Sequence, residues 1–172
     1  MDLSELPKRV SRKMKITCLI VVFLFLINRF IFTIFIVNGN SMFPTFNHLD
    51  QLMINKWVRE FYQGDIVIFD EHGVRYIKRI TALPEQEIFF EQDTNRLFID
   101  RIVIENCCEE DTYLQDINPI FFEPIKVPEN SFFVMGDNIL NSIDSRVLGF
   151  IHKDQIIGRV VFQYWPHLRR VD

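Results

Sequence analysis

The stretch Asp65–Thr81 reads DIVIFDEHGVRYIKRIT, and it decides the fold. Its two outer parts, residues 65–69 and 74–81, are rich in β-branched and aromatic residues. A turn signal that contains glycine separates them at residues 71–73. Patterns of this kind are typical of strands bounded by a turn. The stretch therefore predicts one strand on each side of the turn.

Similar short segments recur along the chain. Further strands are predicted over Gln51–Trp57, Glu87–Phe90, Arg96–Ile99, Ile102–Glu105, Ser131–Met135 and Ile156–Tyr164. Residues 93–95 are expected to form a hairpin turn, residues 106–130 an exposed connection, and residues 136–144 a polar loop. Because predicted strands greatly outnumber predicted helices, the fold class is all-β, either two sheets or a partly open barrel.

A long apolar run precedes the predicted β-domain. Ile16–Val37 reads ITCLIVVFLFLINRFIFTIFIV and is interrupted only at residues 28–29. A helix that continues to Phe32 is long enough to span a bilayer, provided that Arg29 reaches toward the outer headgroups; the rest would then run on as a strand. The alternative is a cleaved signal peptide, but no small-x-small site follows the run.

Charge gives the direction of this expected anchor. Residues 1–37 carry six Lys and Arg against two acids, whereas the rest carries 13 basic and 21 acidic residues, a net charge of −8. Basic residues before a span mark its cytoplasmic side. We therefore expect a cytoplasmic tail at residues 1–15, one transmembrane helix at 16–32 and an extracytoplasmic β-rich domain at 33–172.

The acidic domain argues against nucleic acid as a partner, since phosphate binding needs clustered basic residues. Cys18 lies in the apolar run, and Cys107 and Cys108 are adjacent, so no disulfide framework is expected. The four histidines are scattered and no CxxC spacing occurs. We therefore expect neither a metal site nor a cofactor.

Lys78 is the first candidate for chemistry. Alternation in its predicted strand places it on one face with Tyr76 and Ile80, while Arg79 points the other way with Ile77. A lysine on an apolar face loses its charge more readily, because burial disfavours the ammonium form. The alternative is an ordinary strand lysine whose stem packs and whose ammonium group lies in water.

Two other segments carry candidate groups. Ser41 follows the apolar run by four residues, and Pro44 bends the chain just beyond it. A serine hydroxyl needs a base to become a nucleophile, and no histidine has a suggestive setting. In the polar loop, one hypothesis places Ser142 against the lysine ammonium and pairs Asp144 with an arginine. The other is a solvated loop.

Five segments in order resemble the bacterial type I signal peptidases, a family of Ser/Lys proteases. They are the anchor, Asn38–Thr45 (NGNSMFPT), Gly64–Phe69 (GDIVIF), Tyr76–Pro84 (YIKRITALP) and Gly136–Phe150 (GDNILNSIDSRVLGF). The second and last match the family patterns GxSMxPT and GDNxxNSxDSRxxGx. The ending Gly158–Pro166 resembles the compact single-anchor members, so the resemblance covers residues 16–166.

The resemblance implies a membrane-bound endopeptidase that removes signal peptides from exported preproteins after small residues, through an acyl-enzyme and without a cofactor. Ser41 would be the nucleophile and Lys78 the general base. Ser142 would orient the lysine ammonium, and an ion pair between Asp144 and Arg146 would hold the loop. The residues that would line the bound signal peptide are Phe35, Val37, Met42, Tyr76 and Ile77.

One departure from the family pattern bears on the chemistry. Gly39 stands where some members have a serine that helps to bind the oxyanion, so the backbone N–H of Ser41 is the expected donor. Two rival functions remain. A self-cleaving domain of SOS-type repressors would have a DNA-binding N-terminus, which the apolar run contradicts. A catalytically inactive anchored β-domain that binds exported proteins would not need Ser41, Lys78 and Ser142.

Overall fold

A computed structural model of the protein describes residues 12–91, 96–104 and 122–171. It begins with the helix α1 (Arg12–Ile31), and strand β1 (Phe32–Ile36) follows without a break. The predicted change from helix to strand inside the apolar run is therefore confirmed. Within the described part of the chain, no helix has both the length and the apolarity needed to cross a membrane.

The strands downstream of the apolar run follow the sequence pattern closely. They are β2 (Gln51–Asn55), β3 (Ile66–Glu71), β4 (Val74–Ala82), β5 (Glu87–Glu91), β6 (Arg96–Ile99), β7 (Ile102–Ile104), β8 (Ile125–Lys126), β9 (Ser131–Met135), β10 (Ile151–His152), β11 (Ile156–Trp165) and β12 (Arg169–Arg170). A short helix α2 (Ser145–Leu148) and 3-10 turns at Ile139–Asn141 and Lys153–Gln155 lie between them. Every strand predicted from the sequence is present.

The described strands pair into two antiparallel sheets. The larger sheet has the order β1-β2-β11-β3-β4-β9-β10, with β12 also paired to β11, and the smaller has the order β7-β6-β5-β8. The two-sheet form of the predicted all-β class is therefore confirmed. Strand β4 lies inside the larger sheet, where its backbone pairs with β3 on one side and with β9 on the other.

Buried apolar side chains on the two faces of β4 fix the position of Lys78. Ile77 belongs to a cluster with Val37, Met42 and other residues of the larger sheet. Ile80 belongs to a different cluster that β3, β9 and β10 also supply. Each fully buried side chain of this size contributes roughly 1.5–3 kcal/mol relative to an exposed one. If β4 were rotated so that its two faces exchanged places, Ile77 and Ile80 would lose these packing contacts.

Some predicted features fall outside the described residues. These are the basic residues before Arg12, the turn at residues 93–95 and the pair Cys107-Cys108. The exposed connection predicted at residues 106–130 is only partly correct where it is described: most of residues 122–130 are exposed, but β8 pairs with β5 and Val127 is fully buried. Val127 packs in a cluster that joins the smaller sheet to β9, which makes this part of the connection structural.

Candidate active site

Ser41 lies in the loop that joins β1 to β2, residues 37–50, which we call the Ser41 loop. Backbone hydrogen bonds close its base, from the N–H of Val37 to the carbonyl of Asp50 and from the N–H of Leu49 to the carbonyl of Val37. Inside the loop, Met42 and Phe46 are fully buried and anchor the turn in the core of the larger sheet. The serine is thus presented by a loop with a packed interior.

Lys78 points at this serine from the middle of β4. Its Nζ lies 2.7 Å from Ser41 Oγ and 2.9 Å from the carbonyl oxygen of Ile77. Nζ also lies 5.9 Å from the centre of the Tyr76 ring. Lys78 is only 2% exposed, so the sequence-based alternative of an amine in water is excluded. Two residues 37 positions apart meet at hydrogen-bonding distance.

Burial sets the protonation of this amine. Desolvation is the largest influence, and the pKa of Lys78 falls from 10.5 to about 8. The carboxylates of Asp144 and Asp137 raise this pKa, and the Arg146 guanidinium lowers it. An amine with a pKa near 8 is neutral in roughly a tenth of molecules at pH 7. A neutral amine within hydrogen-bonding distance of a hydroxyl can accept its proton, so the arrangement can activate a serine without histidine.

The predicted pairing of Asp144 with Arg146 is present. Arg146 Nε and Nη2 donate to the two carboxylate oxygens of Asp144, each at 2.9 Å. Asp144 Oδ2 also accepts from the N–H of Gly136, and Arg146 Nη2 donates to the carbonyl of Ile139. Because the carboxylate is fully buried, these bonds hold residues 136–146 in one conformation.

Ser142 does not make the expected bond to the lysine. Its Oγ is buried and has no hydrogen-bond partner in the described part of the chain. It lies against Gly136, where a Cβ would come within 2.2 Å of Ser142 Oγ and 2.5 Å of the carbonyl oxygen of Ser41. A glycine is therefore needed at this point of close approach. The Lys78 amine instead bonds to Ser41 and the Ile77 carbonyl.

Sequence reasoning assigned no role to two residues that join the halves of the site. Asn138 donates from its N–H to the Ser41 carbonyl at 2.9 Å and from its side chain to the Asn40 carbonyl at 3.0 Å. Arg79 forms a bidentate ion pair with Asp137. The only signal was that Asp137 and Asn138 belong to the polar loop after β9. Their partners, Arg79 and Asn40, lie 58 and 98 residues away along the chain, which no local pattern reveals.

The five residues expected to line a bound peptide divide between the two faces of β4. Val37, Met42 and Ile77 are buried in one cluster, and Phe35 packs against it. Tyr76 belongs to the other cluster and stacks on Phe69 with ring centres 5.5 Å apart. Within the described residues, no group of three or more His, Cys, Asp or Glu side chains is placed to hold a metal ion.

Comparison with known proteins gives one consistent result. Residues 10–165 match the family described as "Signal peptidase, peptidase S26". Signal peptidase I S of Bacillus subtilis (strain 168) is 36% identical over 92% of this chain and 91% of that protein. Signal peptidase I of Bacillus licheniformis is 37% identical over 88% of each. A crystal structure of a signal peptidase I from Enterococcus faecalis has a TM-score of 0.45 and 25% identity, covering 59% of this chain and 97% of that one. The chain belongs to the signal peptidase family, peptidase S26.

Proposed function

We propose that Ser41 and Lys78 carry the signal-peptide-removing activity that this serine peptidase shares with its family. The observation that supports this assignment most directly is the 2.7 Å separation of Lys78 Nζ from Ser41 Oγ in a buried setting. Burial lowers the pKa of Lys78 to about 8 and so supplies a neutral amine near physiological pH. Hydroxyl and base are the minimum that a nucleophilic peptidase needs.

The reaction follows from these two groups. Neutral Lys78 accepts the proton of Ser41 while Oγ bonds to the substrate carbonyl carbon. The lysine ammonium then returns that proton to the leaving amine as the C–N bond breaks, which leaves an acyl-enzyme. Water then bonds to the acyl carbon while Lys78 takes its proton. The lysine ammonium returns this proton to Ser41 Oγ as the bond from the acyl carbon to Oγ breaks, which releases the acid product and restores the enzyme. We assign the unpaired Ser142 Oγ as an acceptor for the ammonium formed in each half, since a buried hydroxyl without a partner is costly.

A backbone group supplies the donor for the oxyanion. Among the described residues, the N–H of Ser41 donates to no acceptor, whereas the Ser41 carbonyl is held by Asn138. A preformed N–H beside the reacting carbonyl stabilises the negative oxygen of the tetrahedral intermediate by several kcal/mol. This donor replaces the serine hydroxyl that Gly39 cannot provide.

We propose that an extended signal peptide pairs with the edge strand β1 beside the cluster that Phe35, Val37, Met42 and Ile77 share. Tyr76, whose ring centre lies 5.9 Å from Lys78 Nζ, would contact it near the reacting groups. Strand β1 is an edge of the larger sheet, and added peptides pair with such edges. Val37, Met42 and Ile77 are buried in one packed cluster. Such packing favours small residues before the scissile bond.

We also propose the expected membrane arrangement, with the tail at residues 1–15 cytoplasmic, residues 16–32 as one span and residues 33–172 outside. Apolar side chains between Met14 and Phe23 of α1 are exposed, and so are Ile34 and Ile36 of β1, at 56% and 53%. Across the sheet, Ile34 aligns with Met53 and Phe162, and Ile36 aligns with Gln51 and Trp165. An apolar face continuous with an apolar helix suits a lipid bilayer as partner, whereas nucleic acid is not expected.

The test is cleavage of a preprotein by the detergent-solubilised protein. Ser41→Ala and Lys78→Ala should each abolish cleavage while the fold is retained, and Lys56→Ala, which changes an exposed lysine, should cleave normally. Near-wild-type turnover by Lys78→Ala would refute the lysine as base. Binding of preprotein without cleavage by the unaltered protein would instead favour the inactive β-domain.

A further inference from the structure

We propose that His48 is a positioning residue, which holds the backbone leading to Ser41 and does so only while its imidazole is neutral. The proposal rests on the catalytic role proposed for Ser41. His48 lies on the second arm of the Ser41 loop, seven residues beyond the serine. It is exposed, and it touches neither the lysine nor the ion pair of Asp144. It therefore acts through the loop alone.

The contact that carries the proposal crosses the Ser41 loop. The N–H of Gly39 donates to His48 Nδ1 at 3.1 Å. Backbone hydrogen bonds at the base of the loop, from the N–H of Leu49 to the Val37 carbonyl and from the N–H of Val37 to the Asp50 carbonyl, hold the two arms side by side. Gly39 and His48 can therefore meet. The His48 side chain therefore holds the first arm of the loop in place at Gly39, two residues before Ser41.

Gly39 is a point where the chain can turn. Its φ is +97°, in the region that side chains disfavour, and nothing packs within 4 Å of the position its Cβ would occupy. Beyond it, Asn138 holds the carbonyls of Asn40 and Ser41. The short segment 39–41 is thus fixed by Asn138 at its end and by His48 at its start. Its conformation sets the direction of the Ser41 N–H, the proposed oxyanion donor.

Protonation of the His48 imidazole would break its hydrogen bond with the N–H of Gly39. An imidazole nitrogen accepts a hydrogen bond only without its proton, and the imidazolium would present an N–H to the N–H of Gly39. Charged groups on the loop and on elements that contact it are Asp50, Arg169, Lys78 and Asp137. Asp50 accepts from Asn47 and Gln163, and Arg169 donates to the Thr45 carbonyl. Lys78 donates to Ser41, and Asp137 pairs with Arg79. In the described residues none of these four forms an ion pair with His48.

Three substitutions separate this role from a merely structural one. His48→Asn places an oxygen acceptor at the position of Nδ1 but does not titrate. His48→Gln moves the acceptor one bond further out, and His48→Ala removes it. We would measure kcat and KM for preprotein cleavage from pH 5.5 to pH 9 with the full-length protein in detergent, and the Tm of each variant.

At pH 8.5, His48→Asn should match the unaltered enzyme, while His48→Ala and His48→Gln should lower kcat by about 2- to 10-fold, the value of one hydrogen bond, with KM little changed. As the pH is lowered and His48 gains its proton, the activity of the unaltered enzyme relative to His48→Asn should fall toward the level of His48→Ala. A ratio of these two enzymes that stays constant with pH, or full activity of His48→Ala, would overturn the proposal. Because every comparison is between active enzymes, failure here differs from failure of the Ser41 and Lys78 assignment, which Ser41→Ala and Lys78→Ala report.

Discussion

Lys78 in β4 and Arg146 after the polar loop are both buried cations, at 2% and 5% exposure, but their surroundings differ. Arg146 has a carboxylate, Asp144, bonded to two of its nitrogens at 2.9 Å. Among the described residues, Lys78 has only a hydroxyl and a backbone carbonyl within hydrogen-bonding distance. Depth of burial is therefore similar. The guanidinium keeps its charge because it is intrinsically far harder to deprotonate and faces a carboxylate, whereas the amine has neither advantage.

The difference separates a structural cation from a chemical one. A buried guanidinium beside a carboxylate stays charged and fixes the geometry of its loop. A buried amine without a close carboxylate is easier to deprotonate, and burial lowers the pKa of Lys78 to about 8. Two positions of one site thus use opposite electrostatics, one for shape and one for proton transfer.

Exchanging the two cation types should give the largest effect. Lys78→Arg installs a group that keeps its proton at every accessible pH, so cleavage should fall by about 10²–10⁴-fold or more from pH 6 to pH 10. Arg146→Lys keeps the charge but loses the bidentate bond, so we expect lower stability with measurable cleavage. Both are assayed on the same preprotein, with denaturant unfolding alongside. Cleavage by Lys78→Arg that rises with pH would show that another group is the base.

Removing the carboxylate should destabilise the fold. Asp144→Ala leaves the Arg146 guanidinium buried without its charge partner, and a broken buried pair costs about 3–5 kcal/mol. The measurement is the free energy of unfolding from urea titration. Asp154→Ala is the matched control, because that carboxylate is 91% exposed and should change stability by less than about 0.5 kcal/mol. Equal effects of the two substitutions would mean that the ion pair contributes little.

Removing the amine of Lys78 should stabilise the fold, whereas removing the carboxylate beside Arg146 destabilises it. A folded-state pKa of Lys78 near 8, against 10.5, costs the folded state up to about 3 kcal/mol below pH 8. Lys78→Met fills similar space without charge, so it should be more stable than the unaltered protein at pH 7. That advantage should shrink between pH 8 and pH 10.5, where the unfolded lysine binds a proton and the folded one does not. A Lys78→Met protein that is less stable at pH 7 would contradict the comparison.

The sequence predicts much of this fold because its strands are short, apolar and clearly bounded. β4 is predicted to within one residue, and the alternation that separates Ile77 from Lys78 holds in the packed clusters. β8 escaped prediction because two residues carry no periodicity, and its pairing with β5 lies across a long connection.

The site, like the fold, has features that the sequence predicts and features that it does not. The resemblance to the signal peptidase family, carried by short motifs, singles out Ser41, Lys78 and the pair of Asp144 and Arg146. The bonds of Asn138 to the Ser41 loop could not be predicted, since they depend on how two distant loops meet. The Ser142 bond was expected but is not formed, because a hydroxyl's partner is decided by packing around Gly136 that no spacing encodes.

The smallest predicted effect, and the one that probes Lys78 most directly, is the pH dependence of cleavage. The general base must be neutral, so kcat/KM should rise as pH passes the pKa of Lys78, about 8, and level off above it. The gain from pH 7 to pH 9 should be about tenfold. Asp137→Asn removes a carboxylate that raises this pKa, so its profile should shift to lower pH. A midpoint near that of a solvated lysine, about 10.4, would mean that the amine lies in water during catalysis. The contrast with Arg146 would then be one of structure only, and the assignment of Lys78 as base would fail.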